Sequence, residues 1–249
     1  MKFNPNNPEW LKTVRNLEHR HHNVFQDIVT LAACVCACGA REEEYRQIAR
    51  KYTPDEMDQL CRVFGEFMLL KGIDPFTDLF GAIHMDRLSD WAKGHLGEFY
   101  TPDSLGIMMA KMTIRPPEIG RTLKVCEPAG GSGGLILAAA QALEDLGVSR
   151  LHMQVHYTDL SPFAVNMALV NLGLAGIPAL IHHGNTLTGE VFKVYETPAW
   201  RFAQPYAGTF HAMAPEHVCV MLAQTVPAPV RASPLAHAPA GAWGIPTRR

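Results

Sequence analysis

The stretch VCEPAGGSGGLILAAAQAL, residues 125–143, sets a short apolar run, an acid, a proline and four glycines ahead of a run with helical composition. With its flanks it reads as a β-rich segment, TLKVCEP (122–128), a glycine turn, and a helix, SGGLILAAAQALEDLG (132–147). The pattern then repeats. LHMQVHYTD (151–159) reads as a strand, SPFAVNMALVNLGLAG (161–176) as a helix and PALIHHGN (178–185) as a strand. Helical crossovers of this length imply an α/β fold with a doubly wound, mainly parallel sheet, whose ligands bind at the carboxyl ends of the strands. The glycine turn lies at the end of the first such strand.

Three nucleotide sites use a strand, a glycine turn and a helix, and their spacings differ. A phosphate loop needs a lysine at its end, and none follows Gly134; a dinucleotide fingerprint needs a third glycine where this chain has Ile136. The third is the S-adenosylmethionine turn, in which an acid ends the strand and small residues let the backbone approach a cofactor that has no phosphate to grip. Glu127-Pro128-Ala129-Gly130-Gly131-Ser132-Gly133-Gly134 meets that demand. A second acid, Asp159, ends the second strand, where a carboxylate can accept from both ribose hydroxyls. Its plain structural alternative is a cap on the helix that starts at Ser161.

Upstream, residues 1–95 carry helical punctuation. Pro8 and Pro54 stand where first-turn prolines belong. Thr53 is an N-cap for a helix with apolar residues at Met57, Leu60, Val63, Phe64 and Phe67, and a further helix is predicted up to Gly94. The most apolar stretch, IVTLAACVCACG (28–39), falls short of the roughly 20 residues that cross a bilayer, which predicts a buried helix and no membrane span. Cys34, Cys36 and Cys38 alternate on that helix and so diverge, which favours core thiols over a metal site. With no secretory opening in MKFNPNNPEW, the six cysteines point to a reducing cytoplasm. The 249 residues are 47% hydrophobic and 18% charged with a formal net charge of −2, so a nucleic-acid contact needs a local patch or a partner. Residues 96–205 form the α/β core, and 206–249, rich in Ala and Pro, form an irregular tail.

GEFYTP (97–102), EPAGGSGG (127–134), TDLSPFAVNMALVNLGLAG (158–176) and GNTL (184–187), in that order, resemble the modification subunits of type I restriction-modification systems and related adenine-N6 DNA methyltransferases. The resemblance implies S-adenosylmethionine as cofactor, DNA as substrate, a specificity or other partner subunit, and no metal. Carried onto this sequence, it implies that Phe99, Tyr100 and Thr101 close over the methionine part of the cofactor. It also implies that Glu127, Pro128, Gly130, Gly131, Ser132 and Gly133 meet the amino-acid end and that Asp159 takes the ribose. Asn185 stands where the family has an Asp that accepts from the cofactor's adenine amine, and its carbonyl oxygen can still accept. Plain core packing is the alternative for Phe99 and Tyr100.

The same resemblance implies a base-holding tetrapeptide, Asn or Asp followed by two prolines and an aromatic residue, and these 249 residues contain none. By position the candidate is Thr197-Pro198-Ala199-Trp200 after VFKVYE (191–196), with Trp200 to stack on a flipped base and Thr197 to accept from its amine. An ordinary strand-end turn is the alternative there. Two functions follow from these readings: a DNA adenine-N6 methyltransferase, or a silent cofactor-binding relative acting as a subunit, decoy or truncated remnant. A small-molecule methyltransferase fits GEFYTP less well.

Overall fold

The computed structural model describes residues 9–87, 101, 103–117 and 122–203. Phe99, Tyr100, Pro8, Cys219, the end of the expected helical run from 88 to Gly94 and the whole tail from 206 lie outside them. Five helices come first: α1 (Glu9–Leu17), α2 (Val24–Cys36), α3 (Glu42–Ala49), α4 (Pro54–Ile73) and α5 (Gly81–Arg87). Then come α6 (Asp103–Thr113), β1 (Leu123–Glu127), α7 (Gly134–Asp145), β2 (Met153–Asp159), α8 (Pro162–Leu174), β3 (Ala179–Asn185), β4 (Glu190–Glu196) and a short α9 (Pro198–Ala203).

Local chemistry accounts for the boundaries. Thr53 Oγ1 accepts from the Glu56 amide at 3.3 Å while Glu56 returns a carboxylate to the Thr53 amide at 2.9 Å, a capping box with Pro54 at the first helical position. Ser161 caps α8 through its side chain alone, accepting from the Ala164 amide at 3.3 Å ahead of Pro162. Helices α7 and α8 both stop on a left-handed glycine, Gly147 at φ +78° and Gly176 at φ +67°. There the Val148 amide reaches back to the Leu143 carbonyl and the Ile177 amide to that of Leu172, which closes the helix ends.

The sheet is the mainly parallel α/β sheet that the alternation predicts, in the order β1-β2-β3-β4. Strands β1, β2 and β3 are parallel, with Val125 opposite Val155 and Val155 opposite Ala179. Both crossovers step the same way, so the right-handed rule puts α7 and α8 on one face. β4 runs antiparallel to β3, with a register shift at His183/Gly184. Among the described residues β1 pairs with β2 alone.

The helical region is welded to that layer. α2 lies along α8, and one core cluster runs from Trp10, Val14 and Phe67 through Phe25 and Phe80 to Leu169, Val155 and Ile181. Phe25 stands 5.9 Å from Phe163 of α8 and 6.4 Å from Phe80, both edge-on. A buried polar seam crosses the same boundary. Arg41, 7% exposed, donates to Asn166 Oδ1 at 2.7 Å and grips both oxygens of Glu44 at 2.8 and 2.9 Å, while Asn166 Nδ2 donates to Thr30 Oγ1 at 3.1 Å. The guanidinium also sits 5.0 Å above the Tyr195 ring of β4.

Cys34 and Cys36 are buried in α2, and burial pushes their thiols up to about 11 and about 12, so both pack as protonated, apolar side chains. Among the described residues no cluster of three or more His, Cys, Asp or Glu is placed to hold a metal ion, and no helix is long and apolar enough to cross a membrane.

Candidate functional site

Glu127 is the last residue of β1 and Asp159 the last of β2, so adjacent parallel strands deliver two carboxylates to the same end of the sheet. Between them the chain turns through Pro128–Gly133 into α7. Gly131 has φ +54° and Gly133 φ +89°, left-handed values that a side chain resists. Gly130 is needed for a different reason: a Cβ there would lie 2.1 Å from the Tyr157 ring. The turn rests directly on that ring.

The turn is fixed from several sides. Tyr157, fully buried, donates its hydroxyl to the Gly131 carbonyl at 2.6 Å. The Gly130 amide reaches the Thr158 carbonyl at 3.2 Å, and the Gly133 amide the Gly130 carbonyl at 2.9 Å. Asp159 accepts from the Gly131 amide at 2.9 Å through Oδ2 and from the Ser161 amide at 2.8 Å through Oδ1. Its carboxylate therefore supports the start of α8, the plainer of the two readings of this residue, and also ties down the turn, which the sequence did not suggest. Among the described residues each carboxylate oxygen accepts one bond, and a carboxylate oxygen can accept two.

Glu127 is 7% exposed, and its Oε1 accepts from the Ala129 amide at 3.3 Å. Burial, and after it the neighbouring Asp159 charge, push its carboxyl above the usual range. A buried acid so placed gains from any cationic or hydrogen-donating group brought to it. The Pro128 carbonyl accepts from Thr186 Oγ1 at 2.6 Å, so the residue after Asn185 stitches the end of β3 to the turn. Asn185 itself closes the β3–β4 turn, its Oδ1 accepting from the Leu187 amide at 3.0 Å and the Thr188 amide at 3.4 Å. That oxygen is the one expected to meet an adenine amine, and here it is shared with two backbone donors.

Thr101 is exposed just ahead of α6, and α6 packs along α7, with Gly106 approaching Leu135 and Ala138. The stretch leading out of GEFYTP thus runs beside the glycine-turn helix. Two further residues reach Ser132 without any sequence reading having singled them out: Asp78, from the loop before α5, and Asn171, from α8. Asn171 left one signal, being with Asn166 one of two amides within an otherwise apolar helix.

The proposed base-holding segment is where the geometry corrects the sequence. Thr197 is fully buried; its Oγ1 donates to the Ile177 carbonyl at 2.7 Å and accepts from the Ala179 amide at 2.9 Å. Ala179 begins β3, so Thr197, Pro198 and Trp200 sit at the amino end of the parallel strands, opposite the glycine turn. Trp200 is 5% exposed and meets His156 edge-on at 5.7 Å. A base stacked on Trp200 would lie across the sheet from anything held at Gly131, an arrangement that fits the plain strand-end turn. The cause is β4: running back antiparallel, it carries its own carboxyl end away from the site.

A family model described as N-6 DNA Methylase matches residues 72–211, more than half of the chain. The match takes in the loop with Asp78, the glycine turn, Asp159 and the β3–β4 hairpin.

Proposed function

The chain belongs to the N-6 DNA methylase family, and from that premise we propose that it binds S-adenosylmethionine in the glycine turn and serves methylation of the adenine amine in DNA. The observation that carries this is the delivery of Glu127 and Asp159 to consecutive strand ends with a turn between them that only glycines allow. A cofactor rich in hydrogen-bond donors, with an ammonium group and two ribose hydroxyls, suits a site built from carboxylates and backbone. In this reading Glu127, Pro128, Gly130, Gly131, Ser132 and Gly133 receive the amino-acid end, Asp159 the ribose and Asn185 the adenine amine. Phe99, Tyr100 and Thr101 cover the methionine. The bound cofactor supplies an electrophilic methyl group; the chain's own residues bind and orient it. A partner subunit that reads the DNA sequence, a place in restriction and modification, and a reducing cytoplasm complete the proposal.

A silent cofactor-binding relative is the second reading, and the lack of a base-holding tetrapeptide among these 249 residues favours it. Two measurements on the full chain separate them: calorimetric titration with S-adenosylhomocysteine, and tritiated-methyl transfer to unmethylated DNA with and without candidate specificity subunits. We expect micromolar binding that Asp159→Ala weakens by about 1–3 kcal/mol. Transfer in the presence of a partner supports the enzyme, and binding without transfer under every condition supports the silent relative. Failure of the wild type to bind would sink both.

A further inference from the structure

Ser132 is held from two sides by residues outside the turn. Its Oγ donates to Asp78 Oδ2, and its carbonyl accepts from Asn171 Nδ2 at 2.9 Å. The two holders also hold each other, Asn171 Nδ2 donating to Asp78 Oδ1 at 2.8 Å. Asn171 Oδ1 accepts from the Leu79 amide at 3.2 Å, so a fully buried amide has every polar atom engaged. Ser132 is only 1% exposed, which places these bonds where water competes little and where each is expensive to break.

The loop that presents Asp78 is itself braced. Lys71, 3% exposed, donates to the carbonyls of Pro75 at 3.0 Å and Thr77 at 2.5 Å, and Asp74 accepts from the Phe76 amide at 3.0 Å and from Thr77 Oγ1 at 2.6 Å. Asp78 Oδ1 accepts in turn from the Phe80 and Gly81 amides at 3.0 and 2.9 Å, which opens α5. Closeness to the turn is built in, because a Cβ on Gly81 would lie 2.2 Å from Asp78 Oδ2 and 2.7 Å from Ser132 Oγ.

We propose that Asp78, together with Asn171, is a positioning residue for the glycine turn: a clamp on Ser132 that sets the path of Gly131 and Gly133 on either side and thereby the turn's affinity for its ligand. The affinity half rests on the cofactor reading above; the clamp does not. A cap on α5 alone would need only the two amide bonds of Asp78. The bonds to Ser132 and Asn171 are what tie the helical region to the turn.

The test is Asp78→Asn, which keeps the shape and the acceptor toward α5 but removes the charge facing Ser132. Ser132→Ala deletes the hydroxyl alone and serves equally should the first variant fail to fold. In the ligand-free full chain, amide exchange at Gly131–Gly134 should quicken about ten-fold relative to that of β2 and α2, and the dissociation constant for S-adenosylhomocysteine should rise about ten-fold. The double variant should be no weaker than Ser132→Ala alone, since both changes act on the one contact between residue 78 and Ser132 Oγ. Unchanged exchange at the turn, or exchange raised equally throughout the chain, would overturn the clamp. Faster turn exchange with unaltered affinity would overturn the positioning role. Should the wild type not bind the probe, the cofactor reading falls while the exchange measurement still decides the clamp.

Discussion

Gly130 lacks a side chain because Tyr157 fills the place where one would go, and the same tyrosine hydroxyl holds the next carbonyl of the turn. A single methyl therefore acts on two contacts at once. Gly130→Ala should push the ring off its seat, costing about 1–3 kcal/mol of stability as overpacking in a closed site does, and should lower S-adenosylhomocysteine affinity through loss of the Tyr157–Gly131 bond. Denaturant unfolding and titration of the same sample check both halves, and a variant as stable as wild type would refute the contact. The requirement for small residues in this turn was legible from the string of glycines. Which obstacle made Gly130 necessary was not, since Tyr157 is remote in sequence and looks like any other strand aromatic. Asp78 was hidden for a related reason: DPFTDLFG reads as the opening of the helix expected up to Gly94, and the bond to Ser132 exists only once the loop after α4 has packed on the glycine turn.

At the scale of elements, three parallel strands and their crossover helices were legible from hydrophobic period and punctuation. The direction of β4 could have been. Only Thr186–Gly189 separate β3 from β4, far too few for a parallel crossover, and Gly189 at φ +74° completes a tight reversal. The resemblance of VFKVYE implies a strand that leads into a base-holding loop, whereas the short connection carries Thr197 and Trp200 to the amino end of the parallel strands. What Trp200 covers is His156 of β2, whose imidazole is pushed down to about 4 by burial, then by His182 and Lys124. The folded chain holds this ring neutral, whereas the unfolded chain protonates it near the ordinary value of about 6.5. Its contribution is intact above about pH 6.5 and is lost as the pH falls toward 4, by at most about 3 kcal/mol. Replacement by phenylalanine keeps a ring against Trp200, so His156→Phe should flatten the fall of melting temperature in that window. Parallel profiles for the two proteins would argue against the assignment.

Across the whole molecule, the helical region and the sheet share one core and one buried polar seam. Such a join makes the two layers unfold together. We expect a single calorimetric transition over the described residues, and Arg41→Met should lower it by about 1–3 kcal/mol by leaving Asn166 without its donor. Amide exchange should then quicken in α2 and in α8 alike; loosening confined to one layer would show two separable units.

The polarity of the α/β layer also divides the molecule into a chemically committed end and an inert one. Glu127, the glycine turn and Asp159 occupy the first, while the second holds the turns at Gly147 and Gly176, where the helices merely hand the chain back to the sheet. Around Gly147 there is open space for an added side chain. That makes it the natural place to splice in a reporter, or to tether the protein to a surface with the glycine turn facing outward.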